Sequence, residues 1–257
     1  MASLALMGAA DHSATISKIL DFPPTTFTIY PPQGQRVVGQ GHYELKRLAD
    51  NKVVIYGENR YRDGEYDIEN DVLDLNSAAE WPSMVSFQHD FYNSNGSLKV
   101  SGSADVRTGQ ATCVANESGS ERRYTASLAF PSDTYAGAAL LVPIQLALAE
   151  HKTFPIRMHL FNCAPETHVV ALEVHVSPAD NHWQFYPDQQ LVQAEAEPDF
   201  GFWNFLIAPF VSEVYAWFDP ANGFRYVGGR IHRYLVGEEQ VMLASRKSGS
   251  AGKEAER

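Results

Sequence analysis

Met84-Val85-Ser86-Phe87-Gln88-His89-Asp90-Phe91-Tyr92 is followed by Asn93-Ser94-Asn95-Gly96-Ser97 and then by Leu98-Lys99-Val100-Ser101-Gly102-Ser103-Ala104-Asp105-Val106. Val85, Phe87, His89 and Phe91 alternate with Ser86, Gln88, Asp90 and Tyr92, the period of two of a strand with one buried face. Asn-Gly accepts the positive φ angles of a tight hairpin turn, so the two runs fold back on each other. The same pattern repeats along the chain. Asp50-Asn51 separates the runs 37–48 and 53–61, and Asp63-Gly64 precedes the run 66–75. Thr108-Gly109 precedes 111–115, and Asn222-Gly223 lies between 214–218 and 224–227. Val170, Leu172, Val174 and Val176 alternate with Val169, Ala171, Glu173 and His175.

Two segments break this pattern. Over 133–150 the spacing of Leu140, Ile144 and Leu148 predicts a helix, with Ser132 or Asp133 as its cap. Leu141, Val142 and Leu146 make it apolar on nearly every side, as a buried helix is. Pro143 marks a kink or the helix start. Over 200–210, Phe200, Phe202, Trp203, Phe205 and Phe210 surround Gly201, Asn204 and Pro209, a short helix or a lid-like loop. The fold expected is mainly β: a single curved antiparallel sheet, half-barrel or open barrel, with one buried central helix. A β-sandwich is the alternative. Nothing divides 21–244 into more than one β-rich domain. Residues 1–20 read as a leader or the remnant of a signal. Residues 245–257, rich in Ser, Gly, Lys and Glu, read as a disordered tail.

With 257 residues and a formal charge of −11, the chain repels polyanions, which argues against nucleic acid as a partner. The least polar stretch, 136–149, falls short of the roughly 20 residues of a membrane-spanning helix. If Leu4-Ala5-Leu6-Met7-Gly8-Ala9-Ala10 ends a truncated signal, the protein is periplasmic or extracellular; otherwise it is cytoplasmic. Cys113 and Cys163 are either one disulfide or two buried thiols.

Strong catalytic and cofactor motifs are absent from the sequence: no G-x-S-x-G, phosphate loop, H-E-x-x-H or C-x-x-C. No cofactor is expected. Gly39 and Gly41 read as close backbone approach or strand curvature. His159 and Cys163 share a strand face, but His168 and His175 point to opposite faces, so no metal site is expected. His89 is the candidate acid or base, since an inward imidazole among apolar residues needs a polar partner. Asp105, from another strand, is the candidate carboxylate, and Arg230 the candidate cation. The aromatic residues Phe202, Trp203, Phe205 and Trp217, with Leu140, Ile144 and Leu148 of the helix, are the candidate lining of an apolar cavity.

Long hairpin-linked strands, a central apolar helix and an apolar segment before the last hairpin resemble bacterial lipoprotein-carrier half-barrels of the LolA/LolB kind, over roughly residues 27–243. The resemblance is one of layout and gives no residue a role. It implies a curved sheet that shelters acyl chains, and so a carrier or sensor of a hydrophobic ligand, an apolar small molecule or lipid. The alternative is an enzyme on an apolar substrate with His89 as acid or base.

Overall fold

In a computed structural model, the residues described are 12–34, 36–76, 80–117, 120–163, 167–179, 190–199, 214–233 and 238–245. They form one 15-stranded sheet. The strands are β1 (Thr25–Tyr30), β2 (Gly39–Arg47), β3 (Lys52–Tyr61), β4 (Tyr66–Asp74), β5 (Ser83–Tyr92), β6 (Leu98–Asp105), β7 (Gln110–Glu117) and β8 (Ser120–Ser127). The chain continues with β9 (Thr134–Tyr135), β10 (Ile156–Asn162), β11 (His168–Pro178), β12 (Val192–Asp199), β13 (Val214–Asp219), β14 (Arg225–His232) and β15 (Glu239–Ala244). Their spatial order is β8-β7-β6-β5-β4-β3-β2-β1-β15-β14-β13-β12-β11-β10-β9, so β1 joins the two halves by pairing with both β2 and β15. All pairs are antiparallel except β9 with β10.

The turns are those the sequence announces. Asp50 and Asn51 both have positive φ, at 61° and 55°, and Gly64, Gly96 and Gly109 follow suit. In β5 a register shift between Val72 and Leu73 of the partner strand skips Val85. Met84, rather than Val85, therefore joins Phe87 and Phe91 in the core. Gly41 marks a close approach: a Cβ there would meet Asn59 Oδ1 at 2.4 Å and Met242 Cε at 2.9 Å.

The sheet curls until its ends overlap, without closing into a true barrel. Cys113 on β7 is bonded to Cys163 just past β10, with Cα atoms 5.5 Å apart, which resolves the question left open by the sequence. Nearby, Phe161 meets Phe87 and Phe130, each at 5.8 Å between ring centroids. Tyr135 of β9 donates to the carbonyl of Pro82 at 2.7 Å.

The concave side is filled. A 3-10 turn (Gly137–Leu140) leads into helix α2 (Leu141–Ala149), which buries seven consecutive residues from Val142 to Leu148. Pro143 stands in the first turn, where a missing N–H costs no helical bond. Residues 12–20 form a further helix, α1, with Ile16, Ile19 and Leu20 buried in the same core. A separate apolar cluster, Trp217, Val241 and Leu243, lies on the opposite face of β13 and β15. The tail 245–257 falls outside the described residues from 246 onward.

The disulfide closes a loop of 50 residues, worth about 4 kcal/mol by chain entropy. We expect Cys113→Ser to unfold at a lower urea concentration, by up to about that amount. Coincident unfolding curves for variant and native protein would show that the overlap holds without the cross-link.

Candidate functional site

Strand β4 places Asp67, Glu69 and Asp71 on the concave face, at 1%, 9% and 0% exposure, while Asn70 between them is exposed. Three carboxylates in a core require donors, and each has a distinct set. Asp67 accepts from the Asn59 amide at 3.0 Å, the Tyr61 hydroxyl at 3.2 Å and His89 Nε2 at 3.2 Å. Tyr61 in turn accepts from Gln240 at 3.1 Å, and the Arg233 guanidinium lies over its ring.

Glu69 and Asp71 serve the helix. Glu69 accepts from the backbone N–H of Ala138 at 2.7 Å, and Asp71 from that of Ala139 at 3.1 Å. The sequence predicts Ser132 or Asp133 as the helix cap, but Ala136 caps the 3-10 turn and Leu140 the helix, neither with a side-chain bond. Asp133 is bonded instead to His159 Nδ1 at 2.8 Å. The strand supplies the acceptors that the segment's own side chains do not. Gly137, at φ 44°, makes this approach possible: a Cβ there would stand 1.6 Å from Glu69 Oε1.

Two adjacent buried carboxylates cannot both be charged cheaply. Burial first, then the charge and hydrogen bond of Glu69, push the Asp71 carboxyl well above the usual range, against the lowering by the Ala139 N–H. The phenols around it move the same way. Burial, then Tyr226, Asp71 and Glu69, raise Tyr43. Burial, then Glu69, raises Tyr226. For His89, burial favours the neutral ring, but the bond to Asp67 and the charges of Glu69, Asp67 and Asp90 outweigh it and bring the pKa to about 9.

His89 therefore sits inward with a carboxylate partner, and that partner is Asp67. Asp105 does not approach it. Its residue pairs with Ser86, whereas His89 pairs with Gly102, and its carboxylate accepts from the Thr108 N–H at 2.9 Å in a turn. Arg230 lies opposite Val241 and is bonded to Glu239, so it joins neither His89 nor Asp105. Ile144 and Leu148 are buried in the main core with Leu140 packed against it, while Trp217 belongs to the cluster on the other face. Phe202, Trp203 and Phe205 lie outside the described residues. Among the described residues no group of three or more His, Cys, Asp or Glu is arranged to hold a metal ion.

Near the carboxylates is a narrow cleft whose lining includes Phe22, Leu45, Tyr43, Gln145, Arg225 and Tyr226. Its free space is about that of one water molecule. Tyr43 OH, Gln145 Oε1 and Arg225 Nε are buried without a hydrogen-bond partner among the described residues. Sequence patterning did not single out these residues or the three carboxylates.

No family model and no curated protein matches this chain. Among solved structures, a crystal structure of a β-barrel-like protein of the domain of unknown function DUF1849 from Brucella abortus is similar. It is 12% identical, covers 86% of this chain and 94% of its own, and superposes with a TM-score of 0.46.

His89 and Asp71 both bind protons more tightly in the folded chain than unfolded. Their contributions are complete below the unfolded values and fade as pH rises through the folded ones. The thermal midpoint should therefore fall between about pH 5 and about pH 9. Asp71→Asn, which keeps an acceptor for Ala139 without the charge, should flatten that fall. A midpoint that rises over this range would contradict the assignment. Gly137→Ala should cost roughly 2 kcal/mol or more in urea unfolding; an unchanged midpoint would mean that the Glu69 contact yields freely.

Proposed function

We propose that this protein is a carrier or sensor for an apolar, acyl-chain-like molecule, taken up at the cleft between Phe22, Leu45, Gln145, Arg225 and Tyr226. One observation carries this reading: the apolar and aromatic side chains of Phe22, Leu45 and Tyr226 line a cleft against central strands of a curved sheet, and three further lining residues carry buried polar atoms without a partner among the described residues. The half-barrel architecture, which resembles that of lipoprotein carriers of the LolA/LolB kind, is in keeping with it. The binding mode is narrower than a hollow half-barrel would give. Ile144 and Leu148 are already covered by core neighbours, so the chain would lie from the cleft outward over Phe22 and Leu45. Phe202, Trp203 and Phe205 stay in the proposal as further ligand contacts. Trp217, on the other face, does not belong with the cleft. The Cys113–Cys163 bond favours an oxidising compartment.

The enzyme reading has one observation in its favour, the bond from Asp67 that orients His89. A ring protonated at neutral pH would serve as acid rather than base.

Organic extraction of the purified protein followed by mass spectrometry should release an acyl-chain compound, and the stripped protein should bind a fluorescent fatty-acyl probe. Leu45→Asp, at the cleft wall, should weaken probe binding about tenfold or more. Empty extracts together with no probe binding would overturn the carrier reading. Turnover of an ester or amide probe that is lost in a folded His89→Gln variant would favour the enzyme.

A further inference from the structure

We infer that β8 is a docking edge that takes up an extended acidic peptide segment as a further strand, with two adjacent carboxylates set against Arg122 and Arg123. The inference is independent of the carrier reading and follows from the way the sheet ends.

The two edges differ. β9 has only two residues, both buried. β8 runs for eight residues, and all but Tyr124 and Ala126 are exposed. No strand lies beyond it among the described residues. Its pairing with β7 keeps one register throughout, and it contains no proline. Such an edge presents a row of backbone donors and acceptors to a further strand. The register says which ones. The Leu128 N–H donates to the Gly109 carbonyl at 2.8 Å, and bonded pairs recur at every second residue. Ser120, Arg122, Tyr124 and Ala126 therefore direct their backbone groups to β7. Those of Glu121, Arg123, Thr125 and Ser127 point outward.

Side chains select the partner. Arg122 and Arg123 are both exposed and, as consecutive residues of a strand, stand on opposite faces. Arg123 is bonded to the exposed Glu121 at 3.0 Å, whereas Arg122 makes no ion pair among the described residues. A strand laid antiparallel on β8 puts one residue opposite Arg123 and the next opposite Arg122. Two adjacent acidic residues thus meet one arginine on each face, and the residue after them, opposite Glu121, is best neutral or basic. The chain's charge of −11 does not forbid this, because exposed charges more than about 8 Å away are largely screened at physiological salt. A second copy is less well matched. Two-fold pairing centred on Arg122 or Arg123 sets an arginine against its own copy; centred on Tyr124, it sets neither arginine opposite a carboxylate.

The test is fluorescence anisotropy of the labelled peptide Thr-Val-Thr-Val-Glu-Glu-Lys-Thr on the full chain, with a control in which Lys-Lys-Glu replaces Glu-Glu-Lys. The first peptide should bind with a Kd below about 1 mM, and the control about tenfold or more weakly. The double variant Arg122→Glu/Arg123→Glu should reverse that preference. Thr125→Pro removes an outward N–H that β7 does not use, and should weaken the first peptide about tenfold or more, with circular dichroism verifying the fold. Amide exchange by NMR should slow at Arg123 and Thr125 when the peptide is added and stay unchanged at Arg122 and Tyr124. Equal binding of the two peptides, no binding up to about 1 mM, or binding that neither variant alters would overturn the proposal. So would dimerisation that slows the same amides without peptide, since the occupant would then be a second copy.

Discussion

The structure depends on how a sheet can hold an uncharged helix against its inner face. Helix α2 has no charge and little polarity of its own, and its first turn exposes backbone N–H groups to a dry interior. Glu69 and Asp71 meet the N–H groups of Ala138 and Ala139 in the 3-10 turn that leads into it. The cost is a pair of carboxyl groups in the core, and burial beside Glu69 pushes Asp71 toward its neutral form while the Ala139 N–H opposes this. Gly137 is the geometric condition for the arrangement, since any side chain there would occupy the position of the Glu69 carboxylate. The polar spine of the concave face is thus first a docking device for the helix. Chemistry, if any, is confined to its end at Asp67 and His89.

The cleft is a consequence of the same docking. Where α2, β2 and β14 meet, the packing leaves a small space, and three of its lining residues, Tyr43, Gln145 and Arg225, each carry a buried polar atom without a partner among the described residues. Gln145 is the one strongly polar residue in a helix that is otherwise apolar and buried. Its amide donates to the Phe224 carbonyl, which ties the helix to the start of β14.

The fold was legible because hairpins are local. Asp50-Asn51, Asp63-Gly64 and Asn95-Gly96 each state a turn, and strand alternation fixes which face is buried. The helix was legible from its composition. The site was not, for three physical reasons. Hydropathy puts Asp67, Glu69 and Asp71 outside and Ile68 and Val72 inside, whereas the demands of the helix reverse that choice. His89 was legible as an inward histidine, but its partner comes from two residues off its direct register neighbour Glu69, a diagonal contact that needs the pairing of β4 with β5. Asp105 and Arg230 carry suggestive chemistry and turn out to serve a turn and a cross-strand ion pair. The disulfide, joining strands from opposite ends of the sheet, could be recognised only once the sheet was seen to curl.

The most direct measurement of the docking account is a carboxyl carbon NMR titration of the aspartates and glutamates in the folded protein. The account requires the Asp71 carboxyl to titrate well above the ordinary carboxylate range. Titration of Asp71 within the ordinary carboxylate range would contradict it, since burial beside Glu69 would then not disfavour its charge.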